Sequence, residues 1–180
     1  MLAYVLVLLG VLSRYAVAGH VPWLNFTAVT ASLLFFGARR SWREMLFPLG
    51  ALMVSDYCLT VFHYGYAFRW QAYIITWGWY IMAMVLGLIL LHAKTTFVRG
   101  AASAILGPTS FFVVSNYSVW AASTFYPHPF AGLVTCYLAA IPFYRNDLLA
   151  TSITLAAAVG VEALLRKVRE PQSAIEPGAA

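Results

Sequence analysis

The chain has 180 residues, of which 62% are hydrophobic and only 9% are charged. Soluble domains carry about a quarter charged residues, so this chain cannot cover a soluble surface, and we predict an integral all-α membrane protein. The net charge of +5 does not indicate nucleic-acid binding, because most lysines and arginines flank apolar runs, as topology signals do.

Six apolar segments are predicted to be transmembrane helices packed in one bundle. They cover approximately residues 2–18, 22–38, 45–64, 71–91, 97–118 and 147–165. A further apolar stretch, residues 130–141, lies between prolines and is too short to cross, so we predict a short re-entrant or interfacial helix before the last span. Residues 1–169 then form one transmembrane domain, and residues 170–180 form a disordered cytoplasmic tail.

The basic residues predict the orientation of the bundle, because they are unevenly divided between the two sets of alternate connections. The first set contains Arg39, Arg40, Arg43, Lys94, Arg99, Arg166, Lys167 and Arg169, and the second contains Arg14, Arg69 and Arg145. Cytoplasmic loops carry the excess of Lys and Arg. We therefore predict a multi-pass protein of the cell (inner) membrane with both termini in the cytoplasm.

Two opposite charges lie at matching depths in the predicted spans. Asp56 is about 16 Å along the third span and Arg14 about 18 Å along the first, counted from the same side. An isolated charge at that depth costs at least a few kcal/mol, so we predict that the two side chains pair. A purely structural ion pair and one wall of a cavity that opens outward are both open interpretations of this pair.

Polar and aromatic side chains cluster at the predicted outer ends of the helices. Thr60 and His63 follow Asp56 at i+4 and i+7, on one face of a helix. The candidate substrate-binding residues are Arg14, Asn25, Asp56, Thr60, His63, Trp77, Asn116, Trp120, Arg145 and Asn146. An aromatic belt and ordinary loop packing are the alternative explanation of the rings. Asn146 and Asp147 also suit the start of the last span, as an N-cap and a partner of its dipole.

No catalytic motif is present in the sequence. It lacks a nucleophile motif, a phosphate-binding loop and paired carboxylates, and its four histidines are scattered over different segments. We therefore predict a protein that is not an enzyme, with no cofactor and no metal. Its expected partners are the lipid bilayer and a small-molecule ligand.

Five stretches of the sequence carry a family pattern. They are LSRY, NFTAVTASLLFFGARR, FPLGALMVSDYCL, SNYSVWA and GLVTCYLAAIPFYRNDLL. Together they resemble a family of small, uncharacterised bacterial membrane proteins. The matching polar positions are Arg14, Asn25, Asp56, Asn116, Trp120, Arg145 and Asn146. Ala28 stands where that family often has proline, which predicts a straighter outer end of the second span.

This family is in turn similar to the substrate-binding S components of energy-coupling-factor (ECF) transporters. The similarity rests on size, six spans, cytoplasmic termini and outward polar groups. It implies uptake of a vitamin-like or other micronutrient, together with a transmembrane coupling subunit and two ATPases as partners. The Ala-x-x-x-Ala contact motif of S components is absent, since Ala3 is followed by Val7 and Ala16 by His20. A solitary transporter is therefore an alternative.

Two other functional classes fit the sequence. A structural or scaffold protein of the cell envelope, resembling the six-span cell-shape subunits, would need no pocket. An intramembrane lipid-modifying enzyme could use Asp56 and His63 as an acid–base pair, although nothing positions a nucleophile or a metal.

Overall fold

The computed structural model describes residues 1–20, 26–93, 95–122 and 124–173. Within these ranges the chain folds into six α-helices and contains no β-strand, which confirms the predicted all-α class. The helices are α1 (Leu2–His20), α2 (Val29–Arg39), α3 (Leu46–Cys58), α4 (Ile74–Leu91), α5 (Phe97–Ala122) and α6 (Phe130–Ser173).

Four helical segments of the described chain are long and apolar enough to cross a membrane. They are Trp42–His63, Trp70–Leu91, Phe97–Ala122 and Phe130–Val168. The first two predicted spans are shorter apolar helices. The second was predicted to begin at residue 22, but α2 begins at Val29 and residues 21–25 lie outside the described part. At about 1.5 Å per residue, α2 covers only about half of a hydrocarbon core.

The short helix α2 is the central element of the fold. Every residue from Val29 to Ala38 is buried, and the helix packs against α1, α4, α5 and α6. A helix that is enclosed on all sides needs apolar residues around its whole circumference. Its two polar exceptions, Thr30 and Ser32, both form hydrogen bonds: the Ser32 hydroxyl donates to the carbonyl oxygen of Val29 at 2.7 Å, and Thr30 donates to a carboxylate of α6.

Two glycines bring α2 and α4 into contact through their backbones. A Cβ added at Gly37 of α2 would overlap the carbonyl group of Met84, and one added at Gly87 of α4 would overlap the carbonyl group of Leu34. The contact is therefore reciprocal, since each glycine faces the backbone of the other helix. Small residues at such a crossing let two helices approach closely without side chains between them.

Ion pairs and hydrogen bonds connect the C-terminal end of α2 to the neighbouring helices. The Arg39 guanidinium donates to both carboxylate oxygens of Glu162 on α6, at 2.8 and 2.9 Å, and to the carbonyl oxygen of Leu91 at 2.8 Å. The next residue, Arg40, contacts the carboxylate of Glu44, as does the hydroxyl of Tyr4. These contacts tie α2 to α1, α4 and α6 and to the segment that precedes α3.

The third apolar segment is helical along its whole length but changes its type of turn twice. Ser41 and Glu44 form a capping box that starts a 3₁₀ turn at Trp42–Met45, directly before α3. After α3, the chain continues as a π-helical turn, Leu59–His63. A π turn contains more residues than an α turn, so it rotates the following side chains away from the face that a regular helix would give them.

The prediction of a separate short helix at residues 130–141 was wrong. These residues are the first part of α6, which runs without interruption from Phe130 through Pro142 to Ser173. Proline removes one intrahelical hydrogen bond, at a cost of about 3 kcal/mol or more. Ending the helix in apolar surroundings would instead leave several backbone groups without partners. The helix enters the predicted tail as far as Ser173, and residues 174–180 lie outside the described part.

Gly87→Ala is expected to destabilise the protein by about 1–3 kcal/mol, because the new methyl group forces α2 and α4 apart. Gly78→Ala, on the same helix, is the matched control, since nothing lies within 4 Å of its added Cβ. The control should be neutral or slightly stabilising, because alanine is the better helix former. Thermal unfolding in detergent measures both variants, and equal melting temperatures would contradict the close crossing.

Candidate functional site

The predicted pair of Arg14 and Asp56 is present. Arg14 of α1 lies 2.5 Å from Oδ1 of Asp56 on α3, and the Asp56 side chain is only 1% exposed. Arg14 also donates to the hydroxyl of Ser55 at 3.2 Å. A charge pair removed from water is tolerated when each group is compensated and its remaining hydrogen-bonding capacity is used.

Helix α4 provides the other hydrogen bonds to the Asp56 carboxylate. The indole Nε1 of Trp77 donates to Oδ2 at 2.9 Å. The hydroxyl of Tyr80, one turn further along the helix, lies 3.4 Å from the same oxygen. Three helices therefore meet at one carboxylate, and each of its oxygens receives at least one charged or neutral donor. The carboxylate thus has hydrogen-bond partners on both of its oxygens.

A cavity of about 410 Å³ lies beside this pair, at the N-terminal end of α2. It is lined by Arg14, Thr27, Val29, Thr30, Asp56, Tyr73, Thr76, Trp79, Tyr80, Pro108, Phe111, Phe112, Ser115, Asn116, Ala140, Phe143, Tyr144 and Asp147. Thr27, Val29 and Thr30 line it from that end of α2, and the neighbouring helices form its other walls. Its size is within the range of sites for small organic molecules.

Two walls of the cavity are regular helical stripes. On α5 the lining positions are 108, 111, 112, 115 and 116, and on α6 they are 140, 143, 144 and 147. This spacing of three and four residues is the period of one helix face. The ring centroids of Phe112 and Tyr144 are 4.8 Å apart, so the two stripes meet through aromatic contact. The walls thus combine flat apolar surfaces with hydroxyl, amide and carboxylate groups.

Asp147 is a site residue that the sequence prediction missed. Its carboxylate lines the cavity and accepts hydrogen bonds from Thr30 at 3.1 Å and from Thr151 at 3.3 Å. The interpretation of Asp147 as a partner of the dipole at the start of the last span was wrong, because α6 begins 17 residues earlier, at Phe130. The i, i+3, i+4, i+7 pattern of Ala140, Phe143, Tyr144 and Asp147 was the available signal.

A smaller cavity of about 160 Å³ adjoins the same ion pair. Arg14, Thr27, Asp56 and Tyr73 line both cavities, so these four side chains form the partition between them. Thr60 lines the smaller cavity, and its hydroxyl lies 2.5 Å from that of Tyr73. Tyr73 in turn stacks on Phe68 of the preceding loop, with ring centroids 5.2 Å apart.

The structure brings five of the ten predicted site residues to this region. Arg14, Asp56 and Asn116 line the larger cavity, and Thr60 lines the smaller one. Trp77 contributes through its hydrogen bond to Asp56.

Four other predicted residues do not line either cavity. His63 is exposed and its Nε2 bonds the carbonyl oxygen of Ala18 at 3.0 Å, because the π turn moves it off the Asp56 face. Trp120 donates to the carbonyl oxygen of Pro127. Arg145 lies on the exposed side of α6, and Asn146 adjoins the lining stripe without belonging to it.

Asn25, the remaining predicted site residue, lies outside the described residues. Within the described ranges, no three His, Cys, Asp or Glu side chains come together as the ligands of a metal ion would.

The fold and the site define a helical protein, with four helices suited to a membrane, that has a partly open cavity beside a buried ion pair. The chain belongs to a family of unknown function, DUF6580, whose family model matches residues 1–173. This agrees with the resemblance to an uncharacterised family. No curated protein and no solved structure matches the chain.

Asp56→Ala is expected to lower the free energy of unfolding by about 3 kcal/mol, because it leaves Arg14 charged and without its partner. Asp56→Asn should cost less, since the amide oxygen still accepts from Trp77. The double variant Arg14→Met, Asp56→Leu should recover most of the loss. Denaturant unfolding in mixed micelles measures these variants together with the single variants Arg14→Met and Asp56→Leu, and strictly additive losses in the double variant would exclude a pairwise interaction.

Proposed function

We propose that the protein is a membrane-embedded, substrate-binding subunit that captures a vitamin-like or other small organic micronutrient. The observation that carries this proposal is the cavity of about 410 Å³, whose walls come from α1 to α6 together with Tyr73, in the turn before α4. Binding sites for small molecules are concave, mostly apolar and supplied with a few convergent polar groups. Arg14, Asp56, Asn116 and Asp147 are such groups here.

The predicted orientation supports capture from outside the cell. The cavity lies at the N-terminal end of α2, and its lining residues come from the beginning of α4 and the C-terminal half of α5. Under the positive-inside orientation these parts face outward. The proposal thus places six membrane-inserted helices in one bundle, with α2 entirely inside it, both termini in the cytoplasm and the cavity in the outer half.

The resemblance to S components supports a partnership with a transmembrane coupling subunit and ATPases. These 180 residues contain no phosphate-binding loop, and in this proposal the energy for uphill transport comes from a partner or from an ion gradient. The missing Ala-x-x-x-Ala motif favours the second route. In both cases the task of this chain is to bind the ligand rather than to transform it.

A structural role in the cell envelope is the second candidate function. It is favoured by the Asp56 carboxylate, which accepts from Arg14, Trp77 and Tyr80 and so is already well satisfied within the protein. A carboxylate whose role is only to hold α1, α3 and α4 together would have the same contacts. The two candidate functions differ in whether the cavity is occupied in the purified protein.

Filling the cavity tests ligand capture. The variant Thr76→Trp places a large side chain into the lining, whereas Ile81→Trp puts the same residue on the exposed face of the same helix. We expect native mass spectrometry to find a small molecule bound to the wild-type protein and to the Ile81 variant, but not to the Thr76 variant.

Two results would contradict ligand capture. One is a purified wild-type protein without any bound small molecule after expression in its own host. The other is a molecule that remains bound to the Thr76 variant in the same amount. Either result would favour the structural role.

A further inference from the structure

We infer that the ligand of the larger cavity is an organic cation with a planar apolar body, and that Asp147 binds its charge. This inference rests on the proposed function and concerns the class of substrate. It is carried by the charges that line the cavity and by the rings next to Asp147.

The first step is the charge balance of the lining. In the described part of the chain, the charged side chains that line the cavity are Arg14, Asp56 and Asp147. Arg14 and Asp56 neutralise each other at 2.5 Å, and Arg14 directs further hydrogen bonds to Ser55 and to the carbonyl oxygen of Leu52. Neither member of the pair is therefore available to balance a ligand. The remaining charge is the carboxylate of Asp147.

The second step is that, among the described residues, Asp147 has no cationic partner. Its neighbours are the hydroxyls of Thr30 and Thr151, which are neutral donors. Within the described residues, no Lys, Arg or His lies within ion-pair distance of it. The N-terminus of α2 contributes a partial positive charge of about half a unit, which offsets only part of the carboxylate charge. A cationic ligand completes the compensation, and an anionic ligand would be repelled.

The third step is the shape of the surface around the carboxylate. Phe143 and Tyr144 lie one turn from Asp147 on the same face of α6, and Phe112 of α5 stands against Tyr144. Aromatic faces attract cations as well as flat apolar groups, and desolvation strengthens the attraction. A ligand with its charged group at Asp147 therefore has rings available for the rest of its body. Thr76, Ser115 and Asn116 add neutral polar groups to the lining.

A set of three probes of similar shape tests the sign of the charge. They are tryptamine, a cation at pH 7, neutral 3-ethylindole and anionic indole-3-propionate. Equilibrium dialysis with the full-length protein in zwitterionic nanodiscs, corrected with empty nanodiscs, gives their dissociation constants. We expect tryptamine to bind about tenfold more tightly than 3-ethylindole, and indole-3-propionate to bind most weakly.

Asp147→Asn should remove the preference for tryptamine, while Glu170→Gln, which deletes the same charge near the far end of α6, should keep it. Equal binding of the three probes to the wild-type protein, tighter binding of the anion, or no binding of tryptamine overturns the inference. So does a preference that survives Asp147→Asn. The three probes test the preference for a cation on the wild-type protein, so this test holds even if the Asp147 variant does not fold. Failure of ligand capture itself appears separately, in the native mass spectra of the Thr76 variant.

Discussion

The fold depends on one constraint: an 11-residue apolar helix, α2, is enclosed on every side by longer helices. Polar groups near both of its ends find partners on the neighbouring helices. Arg39 and Glu162 serve one end. At the other end the amide N–H of Ala28 donates to Ser13 at 3.1 Å, and Thr30 donates to Asp147. The cavity lies beside that end, where Val29 and Thr30 line it.

The pairing of Arg14 with Asp56 could be predicted from the sequence because it depends only on the number of residues between each side chain and the start of its helix. Both residues belong to regular helical segments that begin near the same level, so a rise of about 1.5 Å per residue places them correctly. The length of α2 could not be predicted in this way. Apolar residues before Val29 raise the hydropathy whether or not they are helical, and hydropathy does not distinguish a helix surrounded by protein from one surrounded by lipid.

The errors at the site have a common physical origin, which is local helix geometry. Pro142 and the polar residues 145–147 have the pattern of a helix break, which predicts Asp147 at a helix start, whereas the continuous α6 places it on the face of Phe143 and Tyr144. The π turn at Leu59–His63 had the opposite effect, because it separated His63 from a face that regular spacing assigned to it. In both cases tertiary packing overrode a local signal. When the continuity or the type of a single helical turn is misjudged, the side chains that follow it are assigned to the wrong face of the helix, and so to the wrong cavity.

The reciprocal glycine contact of α2 with α4 also determines which parts of the bundle can move. Sliding one helix along the other would drive each carbonyl group into the facing backbone, so these two helices behave as a rigid pair. The cavity walls on α5 and α6 meet α2 through side chains, which can repack by changing rotamers. A change in the width of the cavity would therefore come from α5 and α6, while the close backbone contact keeps α2 and α4 in place relative to each other.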